Sequence, residues 1–384
     1  MVPDTDIDVL TSMIARVRSA AVTGTPLRLR GGGSKDFYGQ ALNGDILDMS
    51  AYAGVISYEP SELVVTVRAG TRLAELETLL AAHGQCLPFE PPHFQLNATR
   101  SEATVGGMVA AGLSGPARAS VGGVRDFMLG ARLINGRAEL LTFGGQVMKN
   151  VAGYDISRLL VGTMGTLGVI TEVSLKVLPV APAEATLMFE LSQRQALEQL
   201  HRWGAQPLPL NASCWVRDDI PGRSREMLFV RLRGAVAAVA SACSRMLADA
   251  GGTRMDTPQA GADWQACRDQ RLPFFVRSDA DSVLWRLSVA QTAPVLDLPW
   301  PQLVEWHGGL RWLWAPLETA AHLRDVAASA GGHATVFSAD KLDTQMARVT
   351  FDSLKPPLDA IHRRLKAEFD PAGIFNPGRM SAGW

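Results

Sequence analysis

At 384 residues, 47% of them hydrophobic and 20% charged, the chain is too long for one ordinary domain and has ample apolar material for two domains or two unequal lobes. Lys and Arg number 37 against 38 Asp and Glu, a formal charge of -1, so no electrostatic footprint draws the protein to nucleic acid or anionic lipid. Small molecules and proteins are the expected partners.

The first residues, MVPDTDIDVL, carry acids before any base and contain no unbroken apolar run, which argues against a secretory signal. No later segment reaches the apolar length of a membrane span. A cytoplasmic location is expected, with membrane contact only indirectly, through a partner at the inner membrane face.

From residue 26 to 180, short β-rich runs alternate with Gly-rich turns: LRLRGGGSK, GDILDMS, AGVISYEP and ELVVTVRAG. TRLAELETLLAAHG predicts an amphipathic helix with Thr71 as N-cap, Leu73, Leu76, Leu79 and Leu80 on one face, and Gly84 past its end. A second helix is predicted from Thr104 to Gly112, and strands resume at FMLGARLIN, AELLTF and LGVITEVSLKVLP. Pro179 and Pro182 mark a boundary. Beyond it, strand ATLMFELS, helix RQALEQLHRWG, strands ASCWVR and EMLFVRLRG, and an Ala-rich helix from Ala235 to Ala250 predict a split βαβ arrangement: an antiparallel sheet with helices on one face. VLWRLSVA and LRWLWAP extend that sheet. The helix LDAIHRRLKAEF and the Pro- and Gly-dense tail DPAGIFNPGRM end the chain, and Ile374 and Phe375 predict that the tail docks on something.

Three segments carry chemistry. Arg30-Gly31-Gly32-Gly33-Ser34 follows a strand directly, and three successive glycines allow consecutive N–H groups to converge on an anion such as a pyrophosphate; a tight strand-to-strand turn suits the same residues. In Glu102 to Gly115, Thr104 caps a helix with Gly106 and Gly107 in its first turn, so the N-terminal amides and the positive dipole end could meet a phosphate or a flat aromatic ligand; close helix packing would equally explain these small residues. Neither is the G-x-G-x-x-G fingerprint, which disfavours a nicotinamide-binding Rossmann domain. The third runs from Gly153 through Thr171 by way of a Gly-rich turn.

Together with GLSGPARASVGGVRDFMLG and the terminal FDPAGIFNPGRM, these segments resemble the para-cresol methylhydroxylase (vanillyl-alcohol oxidase, PCMH) type of FAD-binding domain. Within it, YEPSELVVTVRAGTRLAELETLLAAHGQCLPFEPPHF and KNVAGYDISRLLVGTMGTLGVITE resemble the FAD-binding subunits of bacterial glycolate oxidases. The resemblance implies an α+β fold: a PCMH-type FAD-binding domain of two α/β subdomains over residues 1–180, an α+β substrate-side lobe with an antiparallel sheet covered by helices over 181–368, and a tail, 369–384, returning to the flavin domain.

It further implies that Arg30, Gly31, Gly32, Gly33 and Ser34 hold the FAD pyrophosphate. Ala103, Thr104, Gly106, Gly107, Ser114 and Gly115 would line the isoalloxazine and ribityl chain, with Pro91, Arg118 and Asp126 also at the cofactor; Gly165, Gly168 and Ile170 would meet the adenosine end, and Asn376 would close the flavin side. Covalently flavinylated members often carry His after the glycines; Ser34 stands there, so noncovalent FAD is expected. Thr163-Met164 replaces the Ser-Glu that the wider family often shows in the same turn, which puts the usual polar contact of that carboxylate in doubt.

The implied reaction is oxidation of glycolate, a small 2-hydroxy acid, to glyoxylate, in a complex with a catalytic flavoprotein subunit and an iron-sulfur subunit. Cys86, Cys214, Cys243 and Cys267 are scattered, so no cluster assembles from local spacing. The seven histidines show no H-x-H or H-x-x-H spacing, and no metal site is expected. His307, in EWHGGLRWLW, and Arg286, in VLWRLSVAQ, are the catalytic candidates: an imidazole to take a proton and a guanidinium to pair with a carboxylate, set against a surface-turn histidine and a solvated strand arginine. Two alternatives stay open: a self-sufficient FAD-dependent oxidoreductase of 2-hydroxy acids or alcohols, and a noncatalytic subunit that keeps the flavin fold for docking. Trp285, Trp300, Trp306, Trp312 and Trp314 suit either a partner interface or the core of the second lobe.

Overall fold

A computed structural model describes residues 4–40, 43–94, 102–145, 155–220, 223–277, 279, 281–338 and 350–381. Gly153 and Tyr154 of the third motif lie outside the described residues. The chain divides into two compact units. Unit 1 comprises Met1–Leu113, Gly123–Pro179 and Leu342–Trp384; unit 2 comprises Ser114–Gly122 and Val180–Lys341.

Unit 1 opens on a helix the sequence reading did not identify, α1 (Asp4–Thr23), which buries Met13, Val17 and Ala20 along one stripe. Strands β1 (Leu27–Arg30) and β2 (Asp45–Asp48) pair in parallel, and Phe375 of the tail forms a parallel bridge with Leu27. Ile374 and Phe375 complete the core that α1, β1 and β2 share.

The second core of unit 1 surrounds a five-stranded antiparallel sheet in the order β3-β4-β8-β6-β7. Its strands are β3 (Val55–Glu59), β4 (Val64–Arg68), β6 (Met128–Ile134), β7 (Leu140–Gly144) and β8 (Val169–Lys176); β5 (Gln85–Cys86) pairs with β9 (Leu178–Pro179). Helix α2 (Leu73–Ala81) buries Leu73, Leu76 and Leu80 fully, each worth about 2 kcal/mol of transfer free energy. Its N-cap is Arg72, not Thr71. The Thr71 hydroxyl instead bonds both the N–H and the C=O of Gly54, because the preceding turn brings that backbone within 2.9 Å. Helix α3 (Val105–Ala111) follows, capped by Thr104 and closed by Gly112 in the left-handed region, as the sequence predicts. The short α5 (Val124–Phe127) and α6 (Ile156–Leu159) belong here; α4 (Arg118–Val121) is part of unit 2.

Unit 2 is built on an eight-stranded sheet in the order β13-β10-β12-β11-β15-β16-β14-β17, antiparallel at every pairing among the described residues. The strands are β10 (Ala183–Glu190), β11 (Leu210–Ile220), β12 (Arg223–Gly234), β13 (Thr253–Arg254), β14 (Ser282–Ser288), β15 (Gln302–Glu305), β16 (Leu310–Pro316) and β17 (His333–Ser338). Helices α7 (Gln193–Gly204) and α8 (Val236–Ala250) pack on Leu187, Phe189, Leu228 and Val230. The expectation of helices on one face only is corrected by α9 (Thr257–Arg268): its Trp264 meets Thr186, and its Cys267 lies beside Glu305. Thr186 precedes Leu187 in β10, and successive strand side chains face opposite sides, so α9 covers the other face. Helix α10 (Ala320–Ser329) packs beside β17. Trp285, Trp306 and Trp312 are buried, which places these three in the core of unit 2 and not on an interface.

Helix α11 (Leu358–Phe369) returns to unit 1, where the buried Lys366 ammonium donates to the carbonyls of Thr166 and Phe375 and to Asp370. Asp370 in turn accepts the N–H groups of Ile374 and Phe375. This pair, with all three ammonium protons on named acceptors and the carboxylate holding two tail amides, ties the tail to α11.

Candidate functional site

In unit 1, β1 runs straight into Gly31-Gly32-Gly33-Ser34, which lines an open trough together with Thr104, Gly107, Ala110, Met164, Asn376 and Arg379. The glycines are dictated by close approach. A Cβ on Gly31 would fall 2.2 Å from Thr104 Oγ1, and one on Gly32 would fall 1.5 Å from the carbonyl oxygen of Glu102. Gly33 adopts a φ of +73°, and the Arg30 guanidinium lies where its Cβ would stand. That guanidinium is held by Asp36, which Arg28 also grips, at 2.8 and 2.7 Å.

The N–H groups of Gly31, Gly32, Gly33 and Ser34 donate to no acceptor among the described residues. Four successive half-buried loop amides without an acceptor are unusual in a folded chain, where nearly all such groups are paired with protein or solvent. Successive main-chain donors left without an acceptor are what a phosphate-bearing group requires. The residues present therefore fit the pyrophosphate of a dinucleotide.

Helix α3 does not serve in the way its sequence suggested. The N–H of Val105 bonds Thr71 O, that of Gly106 bonds Ala69 O, and that of Gly107 bonds Thr104 Oγ1, so its first-turn amides are engaged inside the protein. Gly106 is glycine because a Cβ there would lie 2.6 Å from that of Ala69. Thr104, Gly106 and Gly107 still line the trough, but through their non-polar surface and the helix backbone. Ala103 is buried beneath it, with its carbonyl accepting Leu73 N–H. Pro91 is also buried in unit 1.

On the opposite wall are Met164, Gly165, Gly168, Ile170 and Asn376. Gly165 and Gly168 have φ values of +72° and +154°, and a Cβ on Gly165 would strike Asn376 Nδ2. Asn376 Oδ1 accepts the N–H of Leu29 at 2.8 Å, and its Nδ2 donates to Met164 O at 2.7 Å. In the Thr163-Met164 turn, where the wider family often carries a carboxylate, the Met164 backbone is held by Asn376 and by Ala110 O. Asp126 sits on α5, exposed, its carboxylate capping the N–H of Gly123.

The sequence reading missed Arg379, whose buried guanidinium donates to the carbonyls of Gln40, Lys35, Asp36 and Tyr38 and so stitches the loop after the glycines to the tail. Burial pushes its pKa down to about 10, so it remains charged at neutral pH. Its signal lay in the tail motif NPGRM, where an arginine among turn residues had no assigned role.

The structure brings the remaining candidates together in unit 2. Arg118 and Arg286 stack on the ring of Trp306, at 4.9 and 5.2 Å from its centroid, and the Trp306 indole N–H donates to Gly115 O. Arg286 has no ion-pair or hydrogen-bond partner among the described residues. Ser114 and Gly115 lie in the same unit. His307 is not a simple surface-turn residue: Ser120 Oγ lies 3.0 Å from its Nε2, and Ser213 Oγ lies 3.0 Å from both its Nδ1 and its backbone N. Those partners come from distant sequence, which is why local reading found nothing to orient the imidazole. Burial holds its pKa down to about 4, so it is neutral at pH 7. Among the described residues no three His, Cys, Asp or Glu side chains converge as metal ligands, and no helix is long and apolar enough to cross a membrane.

Residues 11–144 match the family model of an FAD binding domain. Glycolate oxidase subunit GlcE of Escherichia coli K12 is 43% identical over 98% of this chain and 99% of its own length. Glycolate oxidase subunit GlcD of Bacillus subtilis is 28% identical over 35% of this chain and 27% of its own, and the mitochondrial D-lactate dehydrogenase [cytochrome] of Arabidopsis thaliana is 30% identical over 38% and 25%. Alkyldihydroxyacetonephosphate synthase shares the fold, with a TM-score of 0.65 at 16% identity over 96% of this chain and 75% of that one. The short matches to GlcD and the lactate dehydrogenase span part of the chain, whereas the GlcE match runs through both units. The fold is of the PCMH type, the cofactor is FAD, and the chain belongs to the family of glycolate oxidase subunit GlcE.

Proposed function

We propose that this chain is the FAD-binding subunit of a complex that oxidises glycolate to glyoxylate and passes the electrons to a partner. The observation that carries the reading is the run of four amides, Gly31 to Ser34, along the trough, with no acceptor among the described residues. Residues 31–34 would hold the FAD pyrophosphate through the main chain, while Asn376 and Arg379 keep that loop and the facing turn in place. Bound FAD supplies a two-electron acceptor for the CH–OH carbon of a hydroxy acid. Ser34 offers a hydroxyl where covalent flavinylation would use an imidazole, which supports a noncovalent cofactor.

The histidines remain dispersed, so we assign this chain to holding FAD and relaying electrons or supporting a catalytic flavoprotein subunit, with an iron-sulfur subunit as the next acceptor. Peripheral association with the inner membrane face would come through that complex. The test is anaerobic addition of glycolate to the purified yellow chain, alone and with its partner subunits. The flavin of the isolated chain is expected to stay oxidised, and glycolate oxidation is expected only in the complex. Turnover by the single chain at the rate of the complex would refute the assignment.

One observation favours a second reading, a self-sufficient 2-hydroxy-acid oxidoreductase. Arg286, stacked on Trp306 and without an ion-pair partner among the described residues, presents a guanidinium to which a substrate carboxylate could bind in a bidentate manner, and the neutral His307 could take the hydroxyl proton. That reading predicts substrate-driven bleaching in the isolated chain, abolished in Arg286→Met.

A further inference from the structure

Unit 2 contains a cavity of about 350 Å³ between the sheet and helix α9. The pocket is partly open to solvent, and small-molecule sites begin at about this size.

Its wall is apolar and rigid. Val216, Phe229, Trp264, Phe274 and Leu303 are among its lining side chains. The Trp264 indole is held on two sides: its N–H donates to Thr186 Oγ1 at 2.9 Å, and the Arg231 guanidinium lies 4.9 Å from its centroid. Arg231 is itself buried and tied to Asn211 Oδ1. The ring is thus fixed before any ligand arrives, which lowers the ordering cost of binding.

The floor carries no charge seeking a partner. Cys267 Sγ donates to Glu305 Oε1, and Glu305 Oε2 accepts the Trp312 indole N–H at 2.7 Å. The hydrogen bond with Cys214, then burial and the neighbouring Glu305, push the Cys267 thiol well above its usual range, so it lines the site as a neutral, weakly polar group. Asp263 is bonded to Gln259, and Arg217, the one cation of the lining, is exposed. Apart from the exposed Arg217, an anionic hydroxy acid or a nucleotide would find no cation here to replace its hydration.

We infer that this cavity, lined by residues of unit 2 alone, is a binding site for a neutral, ring-bearing, largely apolar small molecule. Aromatic rings on several walls favour a flat ligand through offset or edge-to-face contacts.

The test uses the purified full chain with its FAD and the uncharged fluorophore N-phenyl-1-naphthylamine. Saturable one-site binding is expected. Ala260→Trp, which fills the cavity from α9, and Val216→Trp, which fills it from β11, should each weaken that binding at least tenfold with the flavin absorbance retained. Should one variant fail to fold, the other carries the test. Glycolate should not displace the probe, and the anionic analogue 1-anilinonaphthalene-8-sulfonate should bind more weakly. Absence of saturable binding, parental affinity in a folded variant, displacement by glycolate, or preference for the sulfonate would each overturn the inference.

Discussion

The side-chain carbonyl of Asn376 accepts the backbone N–H of Leu29, 347 positions earlier, at 2.8 Å. The same amide donates to Met164 O, so one residue of the tail holds β1, which leads into the glycine run, against the turn that forms the facing wall. A side-chain amide carries an acceptor and a donor on separate atoms, so it can bond both walls at once.

Asn376→Ala should therefore leave Leu29 N–H and Met164 O without partners. Each orphaned group costs about 1–3 kcal/mol, so unit 1 should lose about 2–6 kcal/mol and bind FAD more weakly. Urea denaturation with and without added FAD measures both effects. Unchanged stability would show that neither bond matters.

Gly31→Ala should weaken FAD binding by tenfold or more, since the new methyl meets Thr104 Oγ1 at 2.2 Å. Thr104→Ala removes that oxygen but also the N-cap of α3, at about 1 kcal/mol. The double variant should regain part of the affinity lost by Gly31→Ala, and additive losses in a double-mutant cycle would mean that the two residues do not meet.

His307 makes stability depend on pH in a defined direction. Its folded pKa of about 4 lies below the ordinary 6.5, so the unfolded chain binds the proton first on acidification. The contribution is complete above about pH 7 and is lost as pH falls from about 6.5 towards 4, roughly 2 kcal/mol of it by pH 5. Denaturation curves at pH 7 and 5 should converge by about that amount in His307→Gln, which keeps a polar side chain between Ser120 and Ser213 but does not titrate.

Acid or heat precipitation should release the flavin into the supernatant as free FAD. Adding FAD back at about one hundred times its dissociation constant should restore about 2.7 kcal/mol of stability to the apoprotein. Flavin that stays with the precipitate would show a covalent link and refute the role given to Ser34.

Much of this was legible along the chain because it depends on local rules. The Thr104 cap, the Gly112 stop, the period-two strands and the 3.6-residue stripe of α2 follow from steric and hydrogen-bond preferences that act within a few residues. The family motifs were equally legible, being contiguous.

Other features depend on groups hundreds of residues apart. The sequence shows that Gly31 and Gly32 are glycines, but only the packed chain shows that Thr104 and Glu102 leave no room for a Cβ, and that the first-turn amides of α3, for which the sequence left ligand contact and close packing equally open, are engaged by Thr71 and Ala69. His307 looked unoriented because Ser120 and Ser213 reach it from distant segments. α9 was missed because its polar and apolar residues follow no clean helical stripe, and it crosses to the second face of the sheet because alternate residues of β10 and β11 present a second apolar surface that must be covered. The sequence determined which backbone conformations and which ligand class were available; tertiary packing decided which amides remain unpaired, since hydrogen bonding is settled only once distant acceptors have taken their places.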